Sequence, residues 1–263
     1  MNHRGGWALI KRTWSSWMQW RSFFFLLAFG WMIPPLISLF VWSTAAGGRE
    51  IGGLTRGEFV AYYLVLILVN QLTYSQTNWT VGDLIREGTM NTLLLRPMSP
   101  MYDTLAAEIA GKVVYMTFVI PVAAILTLVL RPELHVTLES GLAFVPALAL
   151  AWALRFLWGY WLASLAFWAT RADALLALQD SLVFLLAGQV APMALLPGLL
   201  RKAATGLPFR YMVGFPIEVL TGQLTRAEVW AGFAWQAGWL GVTLILFTLL
   251  WRAGVKRYSA VGG

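Results

Sequence analysis

From Phe23 to Trp42 the chain carries no charged side chain. A helix needs roughly 20 mostly apolar residues to cross the hydrocarbon core of a bilayer, so this run is long enough to span one. Comparable runs follow at Phe59–Gly82, Val113–Leu130, Ser140–Thr170, Ala174–Leu196 and Val229–Trp251. The fourth is interrupted only by Arg155 and the fifth by Asp180. The expected fold is therefore an all-α integral membrane protein with six transmembrane helices, a single membrane domain over residues 1–263. Pro34 and Pro35 fall inside the first run and are expected to kink it.

Composition agrees. The chain is 59% hydrophobic and 12% charged, whereas a soluble domain averages about 45–50% apolar and about 25% charged. Too few polar residues remain to cover a water-facing surface, and lipid needs no such cover. Many of the 15 Trp and 15 Phe sit near the ends of apolar runs, which suits the membrane interface. The net charge of +7 would suggest nucleic acid in a soluble protein. Here basic residues hold loops on the cytoplasmic side and meet anionic lipid, and no nucleic-acid partner is expected. With no cysteine, disulfides and thiolate metal sites are excluded. His3 and His135 are far apart, so no metal or cofactor is expected on this chain. The first apolar run exceeds the h-region of a signal peptide and reads as an uncleaved helix.

The Lys/Arg bias sets the orientation. With the N-terminus inside, ten cations lie in inner segments (Arg4, Lys11, Arg12, Arg21, Arg86, Arg96, Arg171, Arg252, Lys256, Arg257) and seven in outer ones (Arg49, Arg56, Arg131, Arg201, Lys202, Arg210, Arg226). Both termini are basic and lie on one side for an even helix count, so both are expected in the cytoplasm.

Two segments outside the spans are patterned. In residues 1–21, Trp7, Ile10, Trp14, Trp17 and Met18 recur at helical spacing, while Lys11 and Arg12 fall off that stripe. This is the pattern of an amphipathic interfacial helix. Residues 197–228 are too apolar for a solvated loop and too interrupted, by Pro208, Gly214, Pro216 and Gly222, to span. Either two short half-helices re-enter the outer leaflet, buried in protein, or a surface loop packs on the outer helix ends.

No ATP-hydrolysing motif is present. Of the four lysines only Lys112 follows a glycine, and Val113 stands where a P-loop needs a hydroxyl. No nucleophile–base set, carboxylate pair or metal cluster lies in the spans, so a catalytic role has little support. The polar content of the spans is more informative. The second run turns polar at Asn70, Gln71, Thr73, Tyr74, Ser75, Gln76, Thr77 and Asn78. So many amides in lipid are costly, and this face belongs against a wet cavity or other helices. Gln179 and Asp180 enter the fifth run from the same side. Arg155 either serves the same pathway, pairs with Asp180 or snorkels. Glu108 and Lys112 are spaced as a helix-surface ion pair.

The connection 83–103 is the most distinctive loop. Asp83–Leu95 fits a short amphipathic helix with Leu84, Ile85, Leu93, Leu94 and Leu95 as apolar positions, Arg86, Glu87 and Arg96 as polar ones, a break at Gly88 and an end at Pro97. Such a helix on the cytoplasmic face suits a groove on a partner.

The strings IREGTMNTLLLRPMSP (85–100), RFLWGYWLASLAFWATR (Arg155–Arg171) and LPFRYMVGFPIEVLTGQ (Leu207–Gln223), with six spans and an amphipathic N-terminal helix, resemble the permease subunit of ABC-2-type ATP-binding-cassette transporters over essentially the whole chain. The resemblance implies two permease subunits, the same or related chains, above two separate ATPase subunits that bind ATP and Mg. Asp83, Leu84, Ile85, Arg86, Glu87, Gly88, Leu94 and Arg96 would form the coupling helix. Asn70, Gln71, Tyr74, Gln76, Asn78, Gln179 and Asp180 would line the pathway. Pro208, Phe209, Phe215 and Pro216 would belong to a re-entrant outer gate. Export of a small molecule or lipid across a bacterial-type plasma membrane is the expectation. The chain lacks the large extracellular domain between the first two helices that some lipid-exporting relatives carry. The rival reading is an ion-coupled transporter or channel that works without an ATPase, with Glu108, Arg155 and Asp180 as a relay.

Overall fold

The computed structural model describes residues 3–169 and 173–258. Twelve α-helices occur among them: α1 (His3–Gln19), α2 (Arg21–Ala46), α3 (Arg56–Thr73), α4 (Thr77–Arg86), α5 (Met90–Leu94), α6 (Pro100–Leu130), α7 (Leu138–Ser164), α8 (Asp173–Leu186), α9 (Gly198–Gly206), α10 (Phe209–Met212), α11 (Gly214–Leu220) and α12 (Arg226–Arg257). The turn expected over 171–173 falls largely outside the described residues.

Four helical stretches are long and apolar enough to cross a membrane: Phe25–Ala46, Pro100–Leu130, Leu138–Phe167 and Arg226–Arg257. The first runs through Pro34 and Pro35 without interruption. The other two expected runs do not form single long helices. Phe59–Gly82 divides at Tyr74–Gln76 into α3 and α4. Ala174–Leu196 supplies α8 as far as Leu186, then turns at Gly188 (φ 79°) into a 3-10 turn at Met193–Leu195.

Threonine opens three of the helices at one end of the bundle. Thr55 Oγ1 accepts from the Glu58 amide at 3.2 Å while Glu58 Oε2 accepts from the Thr55 amide at 2.8 Å. Thr225 and Glu228 repeat this capping box at α12, and Thr137 and Ser140 do so at α7. Each box satisfies two amides that a helix start leaves open.

Helix α7 is the hub, packing against α12, α4, α11 and α3, while α3 also packs on α2, α6 and α11. Residues 59–67 of α3 are buried on every face, as expected of an apolar helix enclosed by others. The outer faces of the long helices stay apolar: Leu128 is 78% exposed, and Phe40, Val145, Ile245 and Leu249 are exposed as well. A bundle whose outside is this apolar is solvated by lipid chains rather than water. The chain is a multi-pass α-helical membrane protein.

Its two ends differ. One end gathers residues 47–55, 131–137, 187–197 and 221–225, tied by Glu133 N to Gly57 O (3.1 Å), Thr55 Oγ1 to Glu133 (2.7 Å) and Arg226 to Glu139 (2.7 Å). The other end gathers α4, α5, the end of α7 and Tyr258. Helix α1 lies along α6, with Ile10, Trp14, Trp17 and Met18 partly covered and Trp7 exposed.

Candidate functional site

The interruption between α3 and α4 is held from neighbouring helices. Lys112 Nζ, on α6, donates to the Tyr74 carbonyl at 2.6 Å and to Glu108 Oε2 at 2.9 Å. Glu108 Oε1 accepts from Ser75 Oγ at 3.0 Å and from the Gln76 amide at 3.1 Å. Gln76 is the N-cap of α4 and its own side chain makes no cap hydrogen bond. Glu108 thus supplies from another helix the acceptor for the N-cap amide that the third residue of a capping box would otherwise provide. A helix start carries partial positive charge and a helix end partial negative charge. The carboxylate sits at the start of α4 and the ammonium at the end of α3, so the pair complements both helix dipoles at once.

Arg155 completes the arrangement from α7. Its guanidinium donates to Asn70 Oδ1 at 2.8 Å and Thr73 Oγ1 at 3.0 Å, and stacks 5.2 Å from the Tyr74 ring centre. The polar part of the second apolar run is therefore spent largely on specific partners rather than on one wet wall. Thr77 Oγ1 donates to the Phe156 carbonyl at 3.1 Å, and Asn78 Nδ2 donates to Gln179 Oε1 on α8 at 3.1 Å. Gln71, Tyr74 and Gln76 instead line a cleft of about 240 Å³ together with Trp17, Trp31 and Lys112. Asp180 is exposed on α8. The hydrogen-bond partners of Arg155 come from α3, not from Asp180. The seven candidate pathway residues thus divide three ways: Asn70 is bonded to α7, Asn78 is bonded to Gln179 of α8, the helix that also carries Asp180, and Gln71, Tyr74 and Gln76 line the cleft beside α6.

From the break, α4 descends against α7. Gly159 makes this close, since a Cβ there would collide with Thr77 Oγ1 and stand 3.0 Å from the Asn78 amide nitrogen. Val81, Ile85 and Met90 are buried in a cluster with Phe156, Tyr160 and Ala163. Gly88 turns the chain at φ 76° into α5. Of the apolar positions expected in this segment, Ile85 is buried and Leu84, Leu93 and Leu94 are half-buried. Leu95 points outward, 86% exposed. Asp83 and Glu87 are exposed, Asp83 pairs with Arg86, and Arg96 pairs with Asp103 at 3.0 Å. The helix begins at Thr77, earlier than the expected Asp83, because Gln76 and Glu108 start it inside the second apolar run.

At the opposite end, α10 and α11 are enclosed by protein. Phe209 packs edge-on against Trp158 at 5.8 Å, and Phe215 against Phe233 at 5.5 Å. Pro208 and Pro216 are buried beside them. Arg210 reaches Glu218 Oε2 with two nitrogens, at 3.1 and 2.6 Å. Burial raises the Glu218 carboxyl above the ordinary glutamate value, opposed by Arg210. Tyr62 and Tyr63 of α3 donate to the carbonyls of Gly188 and Val190, each at 2.9 Å.

Sequence reasoning missed the role of Glu108 and Lys112. The signal available was the pair itself, acid before base at i and i+4, on a helix otherwise poor in charge. Their partners at 74–76 lie far away in sequence.

A bundle of long apolar helices, with one apolar run divided at 74–76 and held there by half-buried charges, defines a polytopic α-helical membrane protein. Residues 29–262 match the family described as ABC-2 family transporter protein, and the chain belongs to that family. No curated protein and no solved structure matches it. Membership makes the chain a transporter membrane domain in a family whose members are typically non-catalytic and work with an ABC ATPase.

Proposed function

We propose that this chain is the permease subunit of an ATP-driven exporter, coupled to separate ATPase subunits through residues 83–100. The observation that carries the reading is the segment α4–Gly88–α5. Its inner face is anchored in an aromatic cluster on α7 and α12, and its outer face presents Asp83, Glu87 and Leu95. A partner that grips this face moves α4 as a unit, and the joint at 74–76 receives the motion. Two ATPase copies, carrying ATP and Mg, would act on two permease subunits of the same or a related chain.

In this reading the chain crosses a bacterial-type plasma membrane six times, α3–α4 and α8 being the second and fifth crossings, with both termini in the cytoplasm. Helix α1 lies in the interface. Residues 197–228 re-enter from the outer side, with Pro208, Phe209, Phe215 and Pro216 in the outer gate. Asn70, Gln71, Tyr74, Gln76, Asn78, Gln179 and Asp180 contribute to the path of a small molecule or lipid. The Asn78–Gln179 hydrogen bond supports a shared polar surface between the second and fifth crossings.

The test is purification from the native membrane, followed by ATPase assay of the wild type and of Arg86→Ala combined with Glu87→Ala. The expected result is an ATPase that accompanies the wild-type chain and is released or uncoupled by the double change. A chain that purifies without a nucleotide-dependent partner would overturn the proposal in favour of ion-coupled transport.

A further inference from the structure

The cleft of about 240 Å³ beside the break takes its apolar wall from several helices. Trp17 belongs to α1, Trp31 to α2, Leu84 to α4, Leu93 to α5, and Ala107 and Tyr115 to α6. Most of the polar groups in the wall are already engaged. Lys112 and Glu108 hold each other and the joint. Thr80 Oγ1 donates to the Gln76 carbonyl at 3.1 Å, and Thr104 Oγ1 donates to that of Pro100 at 3.3 Å. What is left offers contact and few hydrogen bonds, which suits an apolar occupant. Helix α1 closes its side tightly, since a Cβ at Gly111 would stand 2.7 Å from the Trp17 ring.

Charge gathers at one end of the cleft. Asp103, in the first turn of α6, is shared by two guanidiniums, Arg96 at 3.0 Å and Arg12 at 3.8 Å. One carboxylate against two guanidiniums leaves one positive charge over. Arg12 carries it outward, with its side chain 68% exposed. Trp31 is exposed as well, so both the charge and the apolar wall are open from outside. Between Asp103 and Tyr115, α6 rises about 18 Å, more than one leaflet of a hydrocarbon core roughly 30 Å thick.

We propose that this cleft holds one acyl chain of an anionic phospholipid, with the phosphate at Arg12 and the chain lying along α6 between Trp17 and Trp31. A surplus cation at the mouth of an apolar slot calls for a negative head joined to an apolar tail. A soluble anion would leave the slot unfilled, and a lipid without net charge would leave Arg12 uncompensated. The site includes Gln71, Tyr74 and Gln76 of the proposed path, yet it needs only a bilayer and no ATPase. Its failure would leave the permease reading standing, and failure of ATPase coupling would leave the site standing.

The full-length chain is placed in phosphatidylcholine nanodiscs with a trace of phosphatidylglycerol or phosphatidylcholine carrying the same diazirine-bearing chain. After irradiation, the crosslinked residues are mapped by mass spectrometry. Label is expected around Trp17 and Trp31, at least about fivefold more from phosphatidylglycerol. Arg12→Gln, which leaves Arg96 on Asp103, is expected to bring phosphatidylglycerol down to the phosphatidylcholine level. Ala107→Phe fills the slot from a half-buried position on its wall. It is expected to remove label there from both lipids, while label near the exposed Leu128 and Ile245 persists. The comparison of the two lipids on the wild-type chain needs no variant and stands even where a variant fails to fold. Equal labelling of the cleft by both lipids, or cleft label undiminished by Ala107→Phe, would overturn the proposal.

Discussion

Lys112 Nζ stands 2.6 Å from the carbonyl oxygen of Tyr74, the residue that ends α3. With Glu108 on the amide of Gln76, one ion pair on α6 serves the end of one helix and the start of the next. The arrangement has a direction, and exchanging the charges tests it. Glu108→Lys combined with Lys112→Glu keeps an ion pair but sets each charge against a helix dipole and leaves the Gln76 amide facing a donor. The exchange is expected to cost about 1–3 kcal/mol and to be no better than Glu108→Gln with Lys112→Met. Thermal unfolding in detergent by intrinsic Trp fluorescence compares the two. Equal stability of exchanged and wild-type chains would show that only the pairing matters.

Arg155→Lys examines the fork on α7. Lysine offers a point charge where guanidinium reaches Asn70 and Thr73 together and lies flat on Tyr74. A loss of about 1–3 kcal/mol is expected in the same melt. Reconstituted transport should fall with it, while Asp180→Asn, which removes no hydrogen bond from Arg155, should leave the melt nearly unchanged.

Gly159→Ala forces α4 from α7, since the added methyl meets Thr77 Oγ1. A destabilisation of about 1–3 kcal/mol is expected. Thr77→Ala in the same chain should return part of it, because the colliding hydroxyl is gone. A double-mutant cycle on unfolding midpoints reads the coupling directly.

Gly188→Ala tests the other end. The position has φ 79°, and its Cβ would meet the Tyr62 hydroxyl that donates to the Gly188 carbonyl. Both the backbone and the contact oppose a side chain, so the change should exceed the cost of about 1 kcal/mol expected for Tyr62→Phe. Limited proteolysis of 187–197 against time ranks the two variants.

Leu95→Asp separates folding from coupling. At 86% exposure the side chain contributes little packing, and stability should stay within about 0.5 kcal/mol of wild type. ATPase co-purification should nevertheless drop, because a charge now occupies the apolar point offered to the partner. Unchanged co-purification and activity would remove Leu95 from the docking face.

Much of this fold was legible from uncharged length alone. The long helices α2, α6, α7 and α12 follow directly from runs that only a bilayer solvates. The break at 74–76 was not legible, because no Pro or Gly marks it. Tyr, Ser and Gln leave a helix there only because Glu108, Lys112 and Arg155 receive the exposed groups, and that is a tertiary fact. The starts of α3 and α12 lie three residues ahead of the expected Phe59 and Val229, because Thr55 with Glu58 and Thr225 with Glu228 close capping boxes there and uncharged length does not register them. In the candidate site the residue types were right but their sharing was not. A polar run on one helix gives no clue that Asn70 and Asn78 serve different neighbours while Gln71 faces a cleft. Leu95 reads as one more apolar position in its helix, and only the turn at Gly88 and the packing of Met90 set it outward.

The second expected crossing is two struts with a pinned joint rather than one rod. Helix α4 has ten residues, an arm of about 15 Å, fastened along α7. Helix α3 is fastened to α2 and α6 and, through Tyr62 and Tyr63, to the far end of the bundle. In the proposed reading, a push delivered at Arg86 would meet the pins at Glu108 and Lys112 where α4 begins, together with the hydrogen bonds of Arg155 to α3 and of Thr77 to α7.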